Sequence, residues 1–284
     1  MAWSREIAAA FIAACRDELD APKPGNVHVF AEGHRMTAAD FERSAAAAAA
    51  PLAAKGQRVG RRILDAIEAT AAAVGSNTNL GIILLCAPLA AAAESRPRDL
   101  RGALHEVLAT LDVQDADHAF RAIVRASPAG LGRSERHDVF APATVSLRAA
   151  MAEAADRDRI AQQYVTDFAD VFTVGESRFA QSLAASADRR LAILSVFLTF
   201  LAAFPDSHIL RKHGAGAAEE TRRRANEFRA RLHASAQPEE LLADLLMWDA
   251  ALKDSGINPG TSADLTVATL FAHRLNEHLA AADQ

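Results

Sequence analysis

Tyrosine occurs once and cysteine twice in the 284 residues, and lysine is confined to Lys23, Lys55, Lys212 and Lys253. Each scarcity removes a class of protein. Cys15 and Cys86 both fall inside apolar helical patterns, so they form neither a disulfide framework nor a Cys-x-x-Cys metal pair. They read as buried thiols in a reducing, cytoplasmic setting. With a net charge of −5 and no clustered basic stripe, the chain lacks the concentrated positive surface that duplex binding requires, so nucleic acid is not an expected partner. Long hydrophobic runs are missing too: the most apolar stretch, Leu80–Ala93, is too short to span a bilayer and contains Pro88, so no membrane role is expected. Arg5, Glu6, Arg16, Asp17 and Glu18 interrupt any signal-peptide core, and export by that route is not expected. Also lacking is the alternation of a half-buried strand. Neither a Gly-x-x-x-x-Gly-Lys-Ser/Thr loop, a Gly-x-Ser-x-Gly elbow nor a His-Glu-x-x-His pair occurs.

What the chain has is helical periodicity. Hydrophobic residues make up 50% and charged residues 24%, enough for a sizeable core. Ile7, Phe11, Cys15 and Leu19 give one stripe, and Val59, Ile63, Ile67, Thr70 and Val74 another that stops at Gly75. An Ala-rich helix runs from Thr37 or Asp40 towards Gly56, bent at Pro51. A central, very apolar helix is predicted from about Ser177 to Phe204. Residues 126–142 are rich in turn formers and are the one place for a lid. The expected fold is all-α, a single domain over residues 1–284 with roughly ten or more helices around one core.

Four polar stretches interrupt this pattern, each at a helix boundary: Lys23-Pro24-Gly25-Asn26, Ser76-Asn77-Thr78-Asn79-Leu80-Gly81, the segment from Asp206 through Arg211 and Lys212 to Gly214, and Asn258-Pro259-Gly260-Thr261-Ser262-Ala263-Asp264. In the last, Pro259 and Gly260 build a turn, Thr261 or Ser262 is placed to cap the following helix, and Asp264 is placed in its first turn. Gathered at one end of a bundle, these boundaries would offer two carboxylates, several amides, three cations and free N–H groups. That inventory suits a polyphosphate held through Mg²⁺, with Asp206 and Asp264 sharing the ion and Asn77 and Asn79 lining the same pocket. The plainer readings stand beside it. Asp206 after Pro205 has the makings of an N-cap, Lys23 of a solvated loop cation, and Arg222 to Arg224 of a solvated face. His208 and His213 are five apart and do not share a helical face, which argues against zinc.

With these stretches in view, the sequence resembles the triphosphoribosyl-dephospho-CoA synthase family, enzymes that make the prosthetic-group precursor for citrate lyase and malonate decarboxylase. The resemblance covers most of the chain. It is carried by Lys23-Pro24-Gly25, Asn77-Thr78-Asn79 with Gly81, Asp206-Ser207 with Gly214, and Pro259-Gly260 followed by Ser262-Ala263-Asp264-Leu265. It implies an all-α transferase in which a hydroxyl of dephospho-CoA attacks C1′ of the ATP ribose while adenine leaves. It further implies catalytic and metal roles for Asp206 and Asp264, with Lys23, Gly25, Asn26, Asn77, Thr78, Asn79, Arg211, Lys212, Asn258, Gly260, Thr261 and Ser262 around the substrate. A homo-oligomer is compatible with it. The chain departs from the family pattern at Asn79-Leu80, where members carry His-Lys, and at Thr261, where they carry glycine. Gly130-Leu131-Gly132-Arg133-Ser134-Glu135 is a degenerate echo of a mid-chain Gly-x-Arg-Gly-Glu segment. Two alternatives follow. One is a related Mg²⁺-dependent transferase acting on another phosphorylated or diphosphate-activated substrate in the biosynthesis of a methanopterin- or methanofuran-type one-carbon carrier, and the other is a non-catalytic helical scaffold whose polar boundaries are only caps.

Overall fold

The structure is a computed structural model that describes residues 2–34, 36–128, 131–134, 136–235 and 238–282. Thirteen α-helices account for most of them, and the described residues contain no strand, only two isolated bridges, His28 with Ala31 and Gly33 with Met36. The all-α expectation is met. No single helix among the described residues is long and apolar enough to cross a membrane. Cys15 and Cys86 are both buried, and neither is in a disulfide.

The residues group into two compact units, each assembled from separate stretches. Unit 1 takes residues 1–15, 39–169 and 271–284. It contains most of α2 (Ala38–Leu52), then α3 (Val59–Val74), α4 (Leu80–Ala93), α5 (Leu100–Thr110), α6 (Val113–Ala126), α7 (Leu147–Ala154) and α8 (Arg159–Val165). Because α4 carries no charged residue, it is buried almost all round, and its neighbours present hydrophobic faces to it. The sole tyrosine, Tyr164, donates its hydroxyl to the Leu84 carbonyl at 2.6 Å. Helices α3 and α6 meet at Gly60, where an added Cβ would lie 2.4 Å from the Asp115 carbonyl oxygen, and the Gly60 N–H donates to Asp115 Oδ1 at 2.8 Å. Buried Arg62 donates to the Leu52 and Gln57 carbonyls and pairs with Glu94. The Ala-rich helix ends at Leu52, one residue past Pro51, and so stops short of Gly56.

Unit 2 takes residues 16–38 and 170–270. A π-helical turn, Asp170–Gly175, leads into α9 (Glu176–Ser186), followed by α10 (Arg189–Ala203), α11 (Ser207–Ala234) and α12 (Leu242–Asp254); α13 (Gly260–Ala282) begins here. The helix expected from Ser177 to Phe204 is two helices. Ala187 turns into the left-handed region at φ 54, and the Asp188 side chain accepts from the N–H groups of Arg190 and Leu191, which starts α10 afresh. Its core joins Leu194, Phe197 and Leu201 of α10 to Phe228 of α11 and Leu245 of α12, with Trp248 stacked on Phe228 at 5.0 Å. In the turn-rich segment, Asp138 accepts from the N–H groups of Ser134 and Phe140; Gly130 and Glu135 lie outside the described residues.

Candidate active site

Three of the four polar stretches belong to unit 2, and hydrogen bonds join them there. Asp206 ends the extended connection after α10. Its Oδ1 accepts from the N–H groups of His208 and Ile209 at 2.9 and 3.2 Å, an N-cap for α11. Its Oδ2 accepts from the Ser262 N–H and the Ser262 hydroxyl, both at 2.8 Å. The N-cap reading is therefore borne out, and the same side chain ties the start of α11 to the start of α13. Asp206 is fully buried. Burial pushes its carboxyl up, against the pull of four donors that each favour the ionised form. Since α13 begins at Gly260, Thr261 and Ser262 lie inside it and do not cap it. Thr261 Oγ1 instead accepts from the His208 N–H at 3.2 Å. Asp264 is the fifth residue of α13, past its first turn, and is half-buried. A residue at this distance shares a face with Gly260 and Thr261, and its Cα–Cβ bond tilts back towards them.

Lys23 does not act as a loop cation. Its ammonium is fully buried and donates to the carbonyls of Glu18, Ala21 and Val27 at 2.7, 3.4 and 3.1 Å, with Glu18 Oε1 at 3.2 Å. Burial pulls the Lys23 ammonium down and pushes the Glu18 carboxyl up, and each partner opposes the other's shift. A phosphate-binding role for Lys23 is thus replaced by a structural one. A side chain held on two carbonyls of its own loop and on the Glu18 carbonyl of the preceding helix has no donor to offer a ligand without dismantling that loop.

The loop so fixed delivers Gly25 and Asn26. Gly25 adopts φ +80, and a Cβ there would sit 2.9 Å from Pro259 Cδ and 3.0 Å from the Ile257 carbonyl oxygen. Its N–H donates to Asp249 Oδ1 at 2.8 Å, and its carbonyl meets His34 Nε2 at 2.8 Å. Asp249 also receives Lys253 Nζ at 2.8 Å and His28 Nε2 at 3.3 Å. Burial alone would raise the Asp249 carboxyl, but the pull of His28, Lys253 and the Gly25 N–H holds it below the usual carboxylate range. Next along, Asn26 Nδ2 donates to Asn258 Oδ1 at 2.8 Å, closing the first stretch onto the last.

Basic groups gather beside this junction. The His208 ring lies against Gly260, whose hypothetical Cβ would be 2.9 Å from His208 Nδ1. Burial lowers the His208 imidazole to about 4, and the charges of Arg211, Lys212, His34 and His213 add to that shift. Lys212 Nζ and His213 Nε2 both reach the Gly256 carbonyl, at 3.5 and 2.9 Å. Gly214, at φ 82 and ψ 175, breaks α11 immediately after them. Of the groups in this region, His34 and Asp249 were not singled out in the sequence, and His208 was weighed only as a zinc ligand. The signals were present: a histidine inside the Asp206–Gly214 stretch, another eight residues past Asn26, and an aspartate four residues before a lysine on one helix face.

Asn77, Thr78 and Asn79 belong to unit 1. Asn77 Oδ1 accepts from the Leu80 N–H at 3.1 Å and so starts α4. Thr78 shares a hydrogen bond with Ser44 at 2.5 Å, and Asn79 Nδ2 donates to Thr70 Oγ1 at 3.1 Å. Asn79 Oδ1 is buried with no hydrogen-bond partner.

The fit of a metal ion follows from these contacts. Every favourable acceptor direction on Asp206 is occupied, so a cation there would have to displace a capping or tethering bond. Among the described residues, no three His, Cys, Asp or Glu side chains gather as a metal-holding group. A cage built by the protein alone does not fit, whereas an ion coordinated mainly by substrate phosphates and water needs only one carboxylate.

Comparison with known proteins agrees with the all-α fold. No curated protein matches the chain. A solved structure of a proposed triphosphoribosyl-dephospho-CoA synthase from Archaeoglobus fulgidus shares the fold, with a TM-score of 0.60 and 22% identity over 81% of this chain and 95% of that one. The sequence profile of a transferase family, described as ATP:dephospho-CoA triphosphoribosyl transferase, matches residues 4–283. That match favours neither the scaffold nor the one-carbon-carrier reading. The chain belongs to the ATP:dephospho-CoA triphosphoribosyl transferase (CitG) family and is a transferase.

Proposed function

We propose that unit 2 holds the triphosphate of ATP on the basic cluster of His34, His208, Arg211, Lys212 and His213, and that Asp264 serves the transfer at C1′ of the ribose. In that reaction the acceptor hydroxyl of dephospho-CoA forms the new C1′–O bond and gives up its proton, the C1′–N bond breaks, and adenine departs with a proton. The observation that carries the assignment is that Lys212 and His213 both reach the Gly256 carbonyl while the His208 ring lies against Gly260, which sets the basic first turns of α11 beside the start of α13. Such a cluster is costly in an empty site and is relieved by a polyanion. Asp264, one turn beyond Gly260, is the carboxylate we assign to accepting the hydroxyl proton or steadying positive charge at C1′. Mg²⁺ would enter with the triphosphate, neutralising phosphate charge, with Asp264 as the protein carboxylate nearest the role of ligand. Asp206 is in this reading a positioning residue that fixes Ser262 and the first turn of α11.

Incubation with Mg²⁺, ATP and dephospho-CoA, followed by chromatography for free adenine, tests the proposal. The expected result is adenine release that depends on the acceptor and that Asp264→Asn suppresses about a hundredfold or more, as for a lost general base or metal ligand. Adenine release undiminished in Asp264→Asn would overturn the role of Asp264. No release from the wild-type protein would overturn the choice of dephospho-CoA as acceptor.

A further inference from the structure

The bond between Asn26 and Asn258 leaves something over. Both side chains are more than nine-tenths buried, at 6% and 9% exposure. Asn26 Nδ2 donates to Asn258 Oδ1, which leaves the Asn26 oxygen as an acceptor and the Asn258 NH₂ as a donor. Turning both amides over gives the same remainder, one acceptor and one donor, on exchanged side chains. Among the described residues the buried side-chain atoms without a hydrogen-bond partner are His28 Nδ1, Asn79 Oδ1 and His118 Nδ1. The outward ends of the asparagine pair are not among them, so these ends reach solvent-accessible space.

The pair is also held firmly. Gly25, next to Asn26, is fastened by Asp249 on its N–H and His34 on its carbonyl, and is packed against Ile257 and Pro259 on either side of Asn258. Asp249 is in turn fixed by Lys253, which also donates to the Ala31 carbonyl at 3.0 Å. Two nearly buried amides that satisfy each other halfway, on a braced scaffold, form a preorganised donor and acceptor set.

We propose that Asn26 and Asn258 together read the hydrogen-bonding edge of an adenine ring. Adenine offers an N–H donor on N6 beside the ring-nitrogen acceptor N7, the pattern a single asparagine meets with its own oxygen and NH₂. Here the same complement is divided between two side chains, because each gives its other half to its partner. On that same edge hypoxanthine presents two acceptors, its oxygen and N7, and is mismatched whichever way the amides are turned. The inference rests on unit 2 being the nucleotide site. Adenine is present both in ATP, where it is the leaving group, and in dephospho-CoA, and the shared chemistry is the same in each.

Titration calorimetry in Mg²⁺ with ATP, ITP, dephospho-CoA and tripolyphosphate tests it, on the wild-type protein and on Asn258→Asp, with Asn26→Asp as a second variant should the first not fold. A base contact predicts that the wild type binds ATP on the order of tenfold to a hundredfold more tightly than ITP, and that the variant brings this ratio near one while tripolyphosphate changes by less than about twofold. If the pair serves the acceptor, ATP and ITP bind alike in both proteins and dephospho-CoA is the ligand that weakens in the variant, by about tenfold or more. Either pattern supports an adenine-reading edge. ATP equal to ITP with dephospho-CoA unaffected by the substitution overturns it, as does a loss of tripolyphosphate binding equal to the loss of ATP, which would mark a damaged site. A wild-type protein that binds neither nucleotide nor tripolyphosphate sinks the assignment of the nucleotide site itself, and the adenine edge with it.

Discussion

Replacing Asp206 by alanine separates two roles for a buried carboxylate. As a tether, its loss acts on the ligand-free protein. The substitution removes the N-cap of α11, worth about 1 kcal/mol, and strands buried donors at the head of α13, each costing about 1–3 kcal/mol. The Ser262 hydroxyl can rotate towards another acceptor, but its backbone N–H cannot. The expected loss is about 3–5 kcal/mol, or a drop in melting temperature of roughly 5–8 °C at about 0.6 kcal/mol per degree. Asp206→Asn keeps one acceptor oxygen and turns an NH₂ onto the other donors, so its cost should be smaller, about 2–3 kcal/mol. Urea denaturation followed by circular dichroism, once with a chelator and once with Mg²⁺, reads these differences. Equal losses in both conditions are expected. If Asp206→Ala unfolds within about 0.5 kcal/mol of the wild type in chelator, and falls behind only when Mg²⁺ and nucleotide are present, the residue is a metal ligand and the tether argument fails.

Lys23→Met should destabilise the protein by about 3–5 kcal/mol by leaving Glu18 buried and unpaired, and adding Glu18→Gln should recover part of that; tripolyphosphate affinity should stay unchanged, and a large loss of it would restore Lys23 to the ligand. Gly25→Ala combines a left-handed φ with contacts of 2.9–3.0 Å and should cost about 2–4 kcal/mol, whereas Gly75→Ala, at φ 74 with nothing within 4 Å of its Cβ, should cost only about 1 kcal/mol; equal melting shifts would refute the packing argument. The His208 imidazole, held down to about 4, stays neutral in the folded protein while the unfolded chain takes up its proton near pH 6.5, so stability should fall as pH drops from about 6.5 to about 4. At about 1.4 kcal/mol per pH unit that slope amounts to at most about 3 kcal/mol, and denaturation midpoints across this range should flatten in His208→Asn; an unchanged pH profile would contradict it.

Periodicity was enough to find the helices, because each stripe of hydrophobic residues reports a face that must be covered, and α4 betrays its burial by having no polar face at all. What periodicity does not report is a cap that acts at a break. Asp188 and Ala187 split an apolar run that looked continuous, and only the local hydrogen bonds decide such a point. In unit 2 the sequence correctly marked Asp206 and Asn258 as polar groups at helix starts, whereas Asn26 lies within the loop between Leu19 and Ala38. Whether each faces a ligand or its own protein was not legible, since that depends on partners distant in sequence. Lys23 turned inward because its loop and the helix end before it supplied three carbonyls, and Asp206 because Ser262 arrived beside it. Asp249 was overlooked for the same reason, its significance lying in a backbone N–H far away in the chain.

The bonds that complete unit 2 join residues very distant along the polypeptide: Gly25 with Asp249, 224 positions apart, and Asn26 with Asn258, 232 positions apart. A growing chain cannot make either contact until nearly all of it has been synthesised. The loop that carries Gly25 and Asn26 must therefore wait, held locally by Lys23 on its neighbouring carbonyls, while the helices of unit 1 between residues 39 and 169 are able to pack first. The proposed nucleotide site is then among the last parts of the molecule to form, and any chain cut short before residue 258 is left with an unclosed loop.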